Sequence, residues 1–76
     1  MAGNVQIGDW EGAVEFGKEL LELLRELPEA ADDFAVSVEE KALSIMEWVE
    51  ENKHVTEGQI MALENMMKGV LKWRRD

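Results

Sequence analysis

The sequence predicts an all-α fold: a small three-helix bundle with a C-terminal helix hairpin, completed by oligomerisation. Three observations predict it. Thr56 followed by Gln59 is a capping box, in which the hydroxyl accepts from the Gln59 N–H and the Gln59 amide reaches back to Thr56. Val55 and Ile60 flank it as a hydrophobic staple that sets the angle at which the chain enters the helix. A helix starts there, so the apolar pattern before it belongs to another helix that has just ended. Second, apolar residues recur at helical spacing in three segments separated by Pro28 and by the polar turn Asn52-Lys53-His54. Third, a chain of 76 residues without cysteine has no disulfide or thiolate–metal staple. A single core of this size supplies about 3–5 kcal/mol, so an idealised bundle or an oligomer must carry the stability.

Residues 1–8 read as an extended arm, with Val5 and Ile7 packing on the helices, and residues 9–76 as a single helical domain. The predicted helices cover 9–27, 37–52 and 56–74. Asp9 is the N-cap of the first, and Pro28 ends it because proline cannot donate and disfavours helix in the residue before it. At about 100° per residue, Trp10, Ala13, Val14, Gly17, Leu20, Leu21, Leu24 and Leu27 share one side. Phe16 and Leu23 widen that arc beyond what one neighbouring helix can cover. Gly17, on the apolar side, predicts close approach of another helix.

The opposite side is a ridge of Glu11, Glu15, Glu19, Glu22 and Glu26. Like charges at these spacings cost a few tenths of a kcal/mol per pair. Lys18, three residues after Glu15, and Arg25, three after Glu22, relieve part of that cost. Residues 28–36 read as a linker in which Phe34 closes the end of the core. Ser37 with Glu40 forms a second capping box. Val38, Ala42, Ile45 and Val49 make the core line of helix two, flanked by Met46 and Trp48. Its outer side carries Glu39, Glu40, Glu47, Glu50 and Glu51, with Leu43 projecting among them. In helix three, Ile60, Leu63, Met67, Val70 and Leu71 form the apolar side, widened by Met66 and Trp73. Met61, Lys68, Lys72 and Arg75 lie outside, and the last-turn bases suit the negative end of the helix dipole.

Charge narrows the function classes. The net charge is −9, which argues against direct binding to nucleic acid or an anionic membrane. Residues 1–52 hold fourteen acids and three bases, a net of −11; residues 53–76 hold three acids and five bases, a net of +2. No basic segment followed by an apolar run opens the chain, and no apolar run approaches the roughly 20 residues that span a bilayer. A cytoplasmic protein is expected.

The inventory gives an enzyme little to work with. There is no cysteine, no tyrosine and one histidine, and the two serines, Ser37 and Ser44, belong to a cap and a polar face. No glycine-rich phosphate loop is present. Glutamates on exposed ridges lack the contrasting environments that acid–base pairs need. Glu51 and His54 have the Glu-x-x-His spacing of di-iron bundles, but a turn histidine outweighs a metal ligand. No metal, catalytic residue or cofactor is expected.

Two surfaces remain. Ten glutamates in two ridges exceed what solubility needs, and regularly spaced carboxylates can imitate a phosphate backbone. The candidate partner-binding set is Glu11, Glu15, Glu19, Glu22, Glu26, Glu39, Leu43, Glu47 and Glu50, facing a protein partner with a basic surface. The wide apolar arcs predict a homo-oligomer, a dimer first, through Trp10, Phe16, Leu23, Met66 and Trp73. The weaker alternative is a small ligand held among Met46, Met66 and Met67.

The runs Ser37-Val38-Glu39-Glu40-Lys41, Glu47-Trp48-Val49-Glu50-Glu51, Val55-Thr56-Glu57-Gly58-Gln59 and Gly69-Val70-Leu71-Lys72-Trp73 resemble a helix hairpin of small bacteriophage-encoded, all-helical accessory proteins of unassigned function. The resemblance covers roughly half the chain and has no catalytic or ligand motif to carry over. It implies an accessory or anti-defence protein that works by binding a host protein.

Overall fold

The structure, a computed structural model, describes residues 9–75; the arm expected at 1–8 lies outside the described residues. These residues form three helices and no strand: α1 Trp10–Leu24, α2 Asp32–Asn52 and α3 Glu57–Arg75. The protein is an all-α bundle, as its apolar periodicity predicts. α1 packs against both α2 and α3, while α2 and α3 touch each other far less. The hairpin is therefore closed through α1 more than through its own two helices.

Local chemistry sets most of the boundaries. The Asp9 carboxylate accepts from the Gly12 N–H at 2.8 Å, capping α1. α1 ends three residues earlier than expected. The Arg25, Glu26 and Leu27 N–H groups bond the carbonyls three residues back, at 3.2, 3.0 and 3.3 Å, so the last turn tightens ahead of Pro28.

The start of α2 corrects the sequence reading. Helix two does not begin at Ser37. A 3₁₀ turn over Glu29–Ala31 leads directly into Asp32, which places Ser37 and Glu40 inside the helix. Two effects favour the earlier start. Asp32 and Asp33 occupy the first turn, at the positive end of the helix dipole. The longer helix also buries Ala31 and packs Phe34 and Ala35 against the core. That burial outweighs a cap worth about 1 kcal/mol.

Asn52 is the last helical residue of α2, its amide donating to the Trp48 carbonyl at 2.8 Å. Lys53 then turns the chain at φ 50°, ψ 43°, a left-handed conformation that costs a non-glycine residue about 1 kcal/mol. Its ammonium lies 5.4 Å from the centre of the Trp10 ring, a cation–π contact that offsets about 0.5–1 kcal/mol of that cost. The capping box forms in both directions: Thr56 N–H donates to Gln59 Oε1 at 2.9 Å, and Gln59 N–H to Thr56 Oγ1 at 3.1 Å.

The core runs along α1. Leu20, Leu63, Val49 and Val70 are fully buried, joined by Ala13, Val14, Phe16, Leu24, Val38, Ala42 and Met46. Two glycines set the helix spacing. A Cβ on Gly17 would lie 2.5 Å from Met46 Sδ and 2.7 Å from its Cγ; one on Gly69 would lie 2.9 Å from Phe34 Cζ. The close approach expected at Gly17 is the seat of Met46.

Gly17→Ala is expected to cost about 1–2 kcal/mol, because overpacking exceeds the gain in helix propensity of about 1 kcal/mol. Gly58→Ala should instead stabilise by up to about 1 kcal/mol, since the nearest atom to a Cβ there is Thr56 Oγ1 at 3.9 Å. Urea unfolding of both variants checks the opposite signs. Shifts of the same sign would mean that Met46 does not hold this position.

Candidate functional site

The five ridge glutamates, four on α1 and Glu26 just past its end, are all exposed, and the buried positions of α1 lie on its other side. A helix packed on two sides by α2 and α3 has one outward face left, and that face is carboxylate. Glu15 lies 3.7 Å from Lys18, and Glu26 lies 3.3 Å from Arg74 on α3. The second pair was not expected from the sequence, because a link from the turn after α1 to α3 becomes visible only once the helices are placed. Arg25, expected to relieve Glu22 through its charge, is the C-cap residue, and its N–H bonds the Glu22 carbonyl. Both ion pairs are solvent-exposed, so each contributes at most about 1 kcal/mol. Among the described residues, Glu11, Glu19 and Glu22 have no such pair.

The second acidic set lies on α2. Glu39, Glu40, Glu47, Glu50 and Glu51 are exposed, and Leu43 stands among them at 48% exposure. Val36, seven residues earlier and 53% exposed, lies on the same side two turns away. Sequence reasoning assigned Val36 to a linker and so did not place it on this face. The two acidic surfaces therefore differ. No large apolar side chain is exposed on α1, whereas α2 exposes Val36, Leu43 and Trp48, and α3 exposes Met61 and Leu71.

The expected oligomer set is redistributed by the packing. Phe16 is only 6% exposed and belongs to the core of its own chain, so it offers little surface to a second copy. Trp10, Leu23, Met66 and Trp73 are half-buried against that core. The width of the α1 arc, which suggested an uncovered face, is taken up by two neighbouring helices instead of one. Leu71, expected on the buried side of α3, is 45% exposed. Of the methionines, Met46 fills the gap over Gly17, and Met66 and Met67 are half-buried against the core.

Among the described residues, no three His, Cys, Asp or Glu side chains come together as a metal site. Glu51 lies in the last turn of α2, and His54 lies beyond the left-handed turn with its ring 6.4 Å from that of Trp48. The helical register that a Glu-x-x-His pair needs is broken at Lys53. No described helix is long and apolar enough to cross a membrane. No protein-family model, curated protein or solved structure matches the chain.

Proposed function

We propose that this is a non-enzymatic, acidic interaction protein that binds and blocks a basic surface of a partner protein, such as a nucleic-acid-binding groove. The observation that supports it is the α1 ridge. Its carboxylates stand at one-turn intervals on a helix held from two sides, so the charge is presented on a rigid support. Such an array steers a basic partner into encounter and fixes its register. The acids of α2 offer a second surface of the same sign. A cytoplasmic setting and a regulatory or anti-defence role of phage type belong to the same reading.

The test uses Glu11, Glu19 and Glu22, whose reversal leaves the Lys18 and Arg74 pairs in place. A tagged chain is used to capture partners from host lysate at low salt and is washed at rising salt. A basic nucleic-acid-handling protein should be retained and then released as exposed charges are screened within about 8–10 Å. The triple variant Glu11→Lys, Glu19→Lys, Glu22→Lys should lose it while keeping its helical circular dichroism. Retention by the folded triple variant would refute the α1 ridge as the contact surface.

A second reading is a self-assembling module, favoured by the apolar side chains left exposed on α2 and α3. Its contacts would be Val36, Leu43, Met61 and Leu71, in place of the set expected from the sequence. Light scattering across a dilution series should then show a mass that falls towards one chain, and Leu43→Lys should shift that equilibrium to monomer. A single-chain mass at every concentration would remove this reading.

A further inference from the structure

The seam between the start of α2 and the end of α3 carries an aromatic pair beside a hollow. Phe34 and Trp73 meet there with ring centres 6.3 Å apart and planes tilted by 40°. Gly69 lies beneath the Phe34 ring, since a Cβ at 69 would come within 2.9 Å of its Cζ. Beside this contact an open hollow of about 290 Å³ is lined by Phe34, Gly69, Trp73 and Lys72, close to the lower end of the range for small-molecule sites. Two of its lining side chains are aromatic, and among the described residues its one charged lining group is a cation.

Charges of both signs lie near it: Asp32 and Asp33 precede Phe34 in the first turn of α2, and Lys72 lines the hollow itself. Lys41 is the only base in α2 and lies seven residues after Phe34, on the same side of the helix. Lys68 lies one turn before Lys72 on α3, and all three lysines are exposed. In a chain of net charge −9, the charged side chain lining the hollow among the described residues is thus a lysine. The glutamate ridge lies elsewhere, on the outward face of α1, which contributes nothing to the lining.

We propose that the Phe34–Gly69–Trp73 hollow binds a small apolar carboxylate, an aryl or alkyl group against the two rings with its carboxylate towards Lys72. Aromatic walls take the apolar body without directional demands, and the lysine distinguishes an anion from a neutral or cationic analogue of the same shape. This site is independent of partner binding by the α1 ridge.

The probe is 3-phenylpropionate, titrated into the ¹⁵N-labelled chain and followed at the Gly69 amide and the Trp73 indole N–H. Saturable millimolar shifts are expected at both, with 3-phenylpropan-1-ol binding more weakly. Lys72→Met, a change at an exposed position, should weaken the carboxylate by about fivefold and leave the alcohol unchanged. Four outcomes overturn the proposal: no saturation at these two groups, equal binding of acid and alcohol, shifts confined to α1, or an unchanged acid affinity in Lys72→Met.

Discussion

The structure depends on α1 being apolar over about half its circumference, because that one helix supplies a packing surface to both of the others. Leu20, at its centre, is fully buried, and Leu63 and Val70 of α3 and Val49 of α2 are buried with it. α2 and α3 have little contact with each other, so their relative placement is inherited from α1. The links at the ends reinforce this. Lys53 reaches from the α2–α3 turn to Trp10, and Arg74 from the end of α3 to Glu26. Phe34 and Trp73 close the remaining end directly.

The same constraint accounts for the surface. A helix packed on two sides has only one face for charge, and the α1 glutamates are concentrated there without an exposed large apolar neighbour. α2 and α3 are packed less completely, and the exposed Val36, Leu43, Trp48, Met61 and Leu71 all lie on them. Lys72 lies at the α2–α3 seam, beside Phe34 and Trp73. The chain thus separates a predominantly acidic face, a mixed apolar and acidic face, and an aromatic seam beside Lys72. The large difference in net charge between the first 52 residues and the rest anticipates this separation only in outline.

What the sequence makes legible is what local geometry decides. The Asp9 cap and the Thr56–Gln59 box each need partners only three residues apart, and both form as read. The Ser37–Glu40 pattern is locally just as good and fails, because burying Ala31 and packing Phe34 extends the helix past it. That competition is tertiary, and no window around Ser37 contains it. Phe16 and Leu71 show a second limit. Helical angle places each within a wide apolar arc, but only the positions of the neighbouring helices decide that Phe16 is covered and Leu71 is not. The glutamate ridge was legible because a face opposite a wide apolar arc has nowhere to go but solvent. The aromatic hollow was not, since it needs Phe34 and Gly69, thirty-five residues apart, to meet.

The central claim is that α1 organises the bundle, and native-state hydrogen exchange on Leu20→Ala tests it most directly. Truncating this side chain removes about 2–5 kcal/mol, comparable to the whole stability of a domain this small. If α1 holds the other two helices in place, amide protection should fall together in α1, α2 and α3, including at Val49 and Val70. Protection retained across α2 and α3 while α1 exchanges freely would mean that the hairpin stands by itself, and would contradict the account.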